Sequence, residues 1–114
     1  MADIRTVHGR VKADGSKAND KQHGFSVEKT ATGTYKISFD DPFTIEPSVV
    51  ATVYGTNADG SSQNTVHNAV VEDVGRSDVR IITGDYYGAK ADRAFSFIAI
   101  SGTYSRTPGP DGPV

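Results

Sequence analysis

One polar loop near the C-terminus concentrates the side chains best suited to binding chemistry. Its sequence over residues 84–93 is GDYYGAKADR. A sugar site needs a flat aromatic surface for the C–H face of the ring, and charged or amide groups for the hydroxyls. Asp85, Tyr86 and Tyr87 offer both, so the composition predicts a carbohydrate site. The alternative is that the two tyrosines only cover an open end of the fold while the charges solvate the loop.

Two further side chains are candidates to join that loop. Asn64 and His67 follow a long turn, and they would contact the same ligand if their segment emerges beside residues 84–93. The three histidines of the chain lack a metal-ligand spacing, and no loop has the spaced carboxylates of a calcium site. We therefore expect neither a metal ion nor another cofactor.

The sequence contains no motif for catalysis. It has no cysteine, no nucleophile-elbow motif, and no glycine pattern for binding phosphates or dinucleotides. Adjacent carboxylates such as Asp40-Asp41 and Glu72-Asp73 would point to opposite faces of a strand, so they cannot act together on one bond. The expectation is a protein that is not an enzyme.

Short segments rich in Val, Ile, Thr, Phe and Tyr alternate with turn residues, which is typical of a β-sandwich or β-barrel. We expect an all-β fold, an antiparallel six- to seven-stranded β-sandwich that forms a single domain over residues 1–106. A disordered Pro- and Gly-rich tail is expected over residues 107–114. The predicted strands cover residues 4–11, 25–28, 35–39, 48–54, 65–74, 77–83 and 94–104.

The clearest strand pattern is the alternation of Tyr35, Ile37 and Phe39 with polar residues, which indicates one buried face. The segment after this strand contains two prolines, which cannot donate to a β-ladder, so it must leave the sheet. Phe43 and Ile45 lie in that segment. We expect both side chains to be tucked under the sheet as a plug.

The last predicted strand is apolar on both faces. Phe95, Phe97 and Ala99 share one face, and Ile98 and Ile100 share the other. A strand that is apolar on both faces is normally buried on both. The second face is therefore expected to be covered by another copy of the chain.

Charge and hydropathy exclude several partner classes. The formal net charge is −2, from 12 basic and 14 acidic residues, and the basic residues are scattered. This pattern predicts no nucleic-acid partner and no anionic membrane surface. No apolar run is long enough to span a bilayer, and the N-terminus has no secretion signal. We expect a soluble protein without membrane insertion, either cytoplasmic or exported by a route that needs no signal peptide.

The segments PFTIEPSVVATVYG, SSQNTV and AFSFIAISG together resemble the H-type lectin domain of snail agglutinins and discoidins, over about residues 39–102. The positions that carry the resemblance are Phe43, Pro47 to Val50, Gln63-Asn64 and Ser96 to Ile100. The resemblance implies a six-stranded antiparallel β-sandwich that forms a homotrimer, or a hexamer of trimers, with sugar in clefts between protomers. Where that family has a sugar-binding Arg this chain has Val66, and Asp85-Tyr86 stands in place of a Trp-His pair.

The N-terminal half has a second likeness. The segments VHGRVKADG and GFSVEKTATGTYKISFDDPF are similar to repeats at the tips of phage tail fibres and in other small bacterial proteins. That likeness implies a bacterial or phage origin. It also implies an alternative function, namely a structural, assembly or receptor-contact module that trimerises without binding sugar.

Overall fold

A computed structural model describes residues 2–56 and 60–104 of the chain. The regular elements in these stretches are seven strands: β1 (Ala2–Val11), β2 (Phe25–Ala31), β3 (Thr34–Phe39), β4 (Ser48–Val53), β5 (Asn68–Val74), β6 (Asp78–Gly84) and β7 (Phe95–Tyr104). The tail predicted to be disordered, residues 107–114, lies outside the described residues. Within the described stretches, no helix could cross a membrane.

The strands form two sheets. The first sheet has the order β1-β7-β4, and the second sheet has the order β2-β3-β6-β5. Every pairing between neighbouring strands is antiparallel. The predicted all-β, antiparallel sandwich of six to seven strands is therefore confirmed at the level of architecture.

Aromatic rings from the two sheets meet between them. Phe97 of β7 packs edge-on against Phe25 of β2 with ring centroids 4.9 Å apart, and Phe95 packs against Tyr35 of β3 at 5.0 Å. All four rings are almost fully buried. Gly9 of β1 leaves the room for this contact, because a Cβ at Gly9 would lie 2.4 Å from Phe25 Cζ. Burial of each such side chain contributes roughly 1.5–3 kcal/mol.

The plug predicted between β3 and β4 consists of one side chain. Phe43 is buried, its ring meets the Phe39 ring edge-on at 4.9 Å, and the Arg5 guanidinium lies 4.4 Å from its centroid. Ile45 is 49% exposed, so its predicted burial is wrong. Phe39 and Arg5 both pack against the Phe43 ring, whereas Ile45, two positions later, faces water.

The closing strand β7 is buried by its own chain on one face only. Its inner side chains are buried as predicted, but Ile98 is 48% exposed and Ile100 is 44% exposed. Val50 of β4 pairs with Ile98 in register and is 64% exposed. We call Val50, Ile98 and Ile100 the outer patch. Among the described residues no further layer covers the first sheet on that side, so the expected cover by another copy of the chain stays a prediction.

Alanine substitutions at Phe43 and Ile45 test which of the two side chains is buried. We expect Phe43→Ala to lower the free energy of unfolding by about 3–5 kcal/mol, because it leaves a cavity under Phe39 and Arg5. The control Ile45→Ala should lower it by roughly 0.5–1 kcal/mol. Urea denaturation of both variants measures the difference, and equal losses would contradict the described packing.

Candidate functional site

The loop between β6 and β7 contains a tight turn that presents two tyrosines at its tip. The Asp85 carbonyl accepts a hydrogen bond from Gly88 N at 3.1 Å, and Asp85 Oδ1 accepts from Tyr87 N at 2.9 Å and from Ala89 N at 3.1 Å. Gly88 has a φ of +84°, which glycine adopts without strain. Aspartate in the first position and glycine in the fourth are the residues this turn favours. Tyr86 and Tyr87 occupy the two central positions.

The two tyrosine rings lie against each other at the surface. Their centroids are 4.0 Å apart, with 36° between the ring planes, and Tyr86 OH donates a hydrogen bond to Tyr87 OH at 2.5 Å. That bond raises the pKa of Tyr86, and the partial loss of water around the phenol raises it further. Tyr86 is 49% exposed and Tyr87 is 78% exposed. We call this pair the aromatic platform.

A groove of about 500 Å³ runs beside the aromatic platform on the outer face of the second sheet. Its walls include the exposed side chains of Val66 and Val70 and the partly buried Ile82, with Lys90 at the loop end. Val70 of β5 pairs with Ile82 of β6 in register, so both point to the same outer face. This surface, the sheet groove, is therefore mainly apolar with a few polar groups at one end.

His67 supports the aromatic platform from the inner side. It is buried, and its ring lies 6.2 Å from the Tyr86 ring, centroid to centroid. Gln63 Nε2 donates to the Tyr54 carbonyl, which directs Gln63 Oε1 towards His67 Nδ1 at 2.6 Å. Arg93 NH2 lies 3.1 Å from His67 Nε2. Because guanidinium groups only donate, a hydrogen bond between Arg93 and His67 requires Nε2 to accept.

Asn64 shapes the turn before β5. Its Oδ1 accepts from Val66 N at 2.9 Å, and its carbonyl accepts from His67 N at 2.9 Å. These bonds hold Thr65 and Val66 in a turn, so the strand predicted from Thr65 begins only at Asn68. The Asn64 side chain accepts a hydrogen bond from the local backbone, and this bond competes with the hydrogen bonds of a strand.

The five predicted site residues therefore have different positions. Asp85, Tyr86 and Tyr87 all line the sheet groove. His67 contacts the platform from behind, and Asn64 lies outside the groove lining while its turn presents the neighbouring valine. The structure brings four of the five together, with Asp85 and His67 already engaged in hydrogen bonds within the protein.

The aliphatic part of the sheet groove was not predicted from the sequence. Val66, Val70 and Ile82 come from a turn and two strands, and only the β5–β6 register brings them together. A signal was present for one of them. Val70 and Val71 are adjacent in a strand, so one of the two must point away from the core.

An ion pair fastens the far end of the same loop to the β2–β3 turn. Asp92 Oδ2 lies 2.6 Å from Lys29 Nζ, and Asp92 Oδ1 accepts from Gly33 N at 2.7 Å. These two contacts lower the pKa of Asp92, and the bond to Asp92 raises the pKa of Lys29. Gly33 cannot be replaced easily, since its φ is +62° and a Cβ there would lie 2.6 Å from the Thr83 carbonyl oxygen.

The groups around the sheet groove are suited to binding. Asp85 accepts hydrogen bonds from two backbone amides, the Tyr86 phenol donates to Tyr87, and Lys90 forms no ion pair with any described residue. Among the described residues, no group of three or more His, Asp or Glu side chains is placed to hold a metal ion.

Comparison of the chain with protein-family models, with curated proteins and with solved structures gives no match. The chemistry of the site is therefore inferred from its own residues.

Asp92→Asn tests the ion pair, because the amide oxygen can still accept from Gly33 while the attraction to Lys29 is lost. The pKa of Asp92 in the folded protein lies below 3.8, so its stabilisation is complete above that pH and is lost as the pH falls through the folded value. We expect Asp92→Asn to lower the melting temperature at neutral pH by a few degrees, and the gap to narrow as the pH falls below 3.8. Calorimetry of the wild type and of Asp92→Asn, at neutral pH and below pH 3.8, measures the melting temperatures. Equal melting temperatures at neutral pH would contradict a stabilising pair.

Proposed function

We propose that this chain is a lectin-like, carbohydrate-binding module that holds a glycan on the aromatic platform and acts as a homotrimer. The observation that carries the proposal is the pair of exposed rings on a hydrogen-bonded turn, beside a groove with a few polar groups at one end. Sugar rings pack a C–H face on aromatic side chains, and their hydroxyls need nearby donors and acceptors.

Each group near the platform has a distinct role in this proposal. Tyr86 donates its hydroxyl proton to Tyr87, which leaves the Tyr87 proton for a sugar hydroxyl. Asp85 uses Oδ1 for both backbone amides, so Oδ2 can accept from a second hydroxyl. Lys90 adds an ammonium donor at the same end of the groove.

The homotrimer is supported by two exposed apolar surfaces on opposite sides of the sandwich. The outer patch lies on the first sheet, and the sheet groove lies on the second sheet beside its edge strand β5. A closed ring of three protomers needs two different, complementary surfaces on each protomer, whereas a twofold dimer needs one. In the proposed ring the outer patch of one protomer covers the groove edge of the next, so the glycan lies near the interface.

A second candidate function is a structural or receptor-contact module of a fibre-like assembly that binds no sugar. The observation that favours it is the outer patch itself. An antiparallel sheet that faces water usually carries polar residues on that face, yet the central strand of the first sheet carries two exposed isoleucines. Association through this patch would need no contribution from the platform.

The glycan proposal is tested by affinity on a glycan array followed by solution titration. Tyr86→Ala and Tyr87→Ala should each weaken binding of any glycan hit by about tenfold or more, because each removes one of the packing rings. Tyr87→Phe keeps the ring and should lose less. The control Lys36→Ala, on the charged part of the same outer face, should bind as the wild type does.

The decisive comparison requires that the oligomeric state stays unchanged in these variants. If the wild type binds no glycan on the array, the carbohydrate proposal fails and the assembly function remains. If a glycan binds equally well to Tyr86→Ala and Tyr87→Ala, the binding site lies elsewhere on the protein.

The assembly proposal is tested by charges placed on the outer patch. We expect the wild type to sediment as a trimer at micromolar concentration, and Val50→Arg with Ile98→Arg to sediment as a monomer, because buried unpaired charges are costly at an interface. The control Ser26→Arg, on the outer face of the second sheet, should remain trimeric. A monomeric wild type would exclude the ring of three protomers and, with it, the position of the glycan near an interface.

A further inference from the structure

A second groove lies on the opposite side of the sandwich from the aromatic platform. Its volume is about 610 Å³, and it runs between β1, β7 and the loop that follows β1. His8 and Arg10 of β1, Asn19 and Gln22 of the loop and Ile98 of β7 are among its lining residues. We call it the basic groove, because its described lining residues include His8 and Arg10 and no Asp or Glu.

The loop that forms one wall of the basic groove is attached to β1 by the Gln22 side chain, which hydrogen-bonds the β1 backbone as a neighbouring strand would. Gln22 Oε1 accepts from Arg10 N, and Gln22 Nε2 donates to the Arg10 carbonyl at 3.0 Å. Ala18 N donates to the same carbonyl at 3.0 Å, and Lys17 Nζ donates to the Gln22 carbonyl at 3.0 Å. The groove is therefore formed before any ligand arrives, which lowers the entropic cost of binding.

Arg10 is positioned to bind an anion. Its guanidinium lies over the Tyr54 ring, 5.3 Å from the centroid, and it forms no ion pair with any described carboxylate. A guanidinium held against an aromatic face keeps its N–H edge available for a two-point bond to an oxyanion. The ring therefore orients the cation without consuming its donors.

Two further donors lie in the same groove. Asn19 accepts from Lys21 N through Oδ1, which leaves the two protons of its amide nitrogen for a ligand. His8 is exposed two residues before Arg10 on the same face of β1, and it too forms no ion pair with a described carboxylate. Ile98 supplies an apolar surface beside these polar groups.

We propose that the basic groove binds an oxyanion, a carboxylate, sulfate or phosphate group, with Arg10 as the main contact and His8 and Asn19 as additional donors. The ligand is either a free inorganic anion or an acidic group on a saccharide. Within one protomer this site lies on the other sheet from the aromatic platform.

The test is an NMR titration of the full chain with two probes, inorganic phosphate and glucuronate, at low ionic strength. Both probes should shift the Arg10, His8 and Asn19 resonances in a saturable way, and added salt should weaken the binding. Tighter binding of glucuronate assigns the groove to an acidic saccharide. Tighter binding of phosphate assigns it to a free anion.

Matched variants distinguish a specific anion site from nonspecific electrostatic attraction. Arg10→Gln should weaken binding by about tenfold or more, because a charge-assisted bond is lost. Arg10→Lys should also weaken it, because the ammonium lacks the planar fork. Lys36→Gln removes one positive charge from the other sheet and should have no effect. No saturable shift with either probe, or an equal loss in Lys36→Gln, would overturn the proposal.

Discussion

The edge-to-face packing of the β7 phenylalanines against the second sheet is the interaction on which the rest of the structure depends. β7 is the central strand of its sheet and pairs with both β1 and β4, so its position determines theirs. Phe95 meets Tyr35 and Phe97 meets Phe25, which fixes the distance and the lateral position of the two sheets. The platform loop ends where β7 begins, and Asp92 fastens it to the β2–β3 turn. The site is thus held by the same packing that holds the core.

The inner faces of all the strands are committed to this packing, so any recognition must use outer faces and loops. The two outer faces differ in character. The second sheet carries charged side chains over much of its width, including the paired Glu72 and Arg80, and becomes apolar only beside the platform. The first sheet carries the outer patch and, at its β1 side, the basic groove. The proposed glycan platform, assembly surface and anion groove all lie on the exterior of the sandwich, and Ile98 belongs to both the outer patch and the basic groove.

Local patterns in the sequence predicted the features that depend on neighbouring residues. Alternation identified the buried face of β3. Residues 84–93 were predicted only as a polar loop, although the DYYG segment contains the aspartate and glycine that its turn favours. Features that depend on distant packing were not predictable in the same way. Phe43 packs against Phe39 and Arg5 while Ile45 is exposed, and the sheet groove depends on the β5–β6 register that pairs Val70 with Ile82. The lectin resemblance and the trimer stay predictions, because they concern a ligand and contacts between chains.

The most direct test of glycan binding at the aromatic platform is a saturation-transfer NMR experiment with the wild-type chain and a mixture of glycans. Irradiation of the tyrosine ring protons should transfer saturation to the C–H face of a bound sugar, because that face packs on the rings of Tyr86 and Tyr87 in the proposed complex. The transfer should disappear in the Tyr86→Ala, Tyr87→Ala double variant with the fold intact. Absence of transfer from the wild type, or equal transfer from the double variant, would contradict the account.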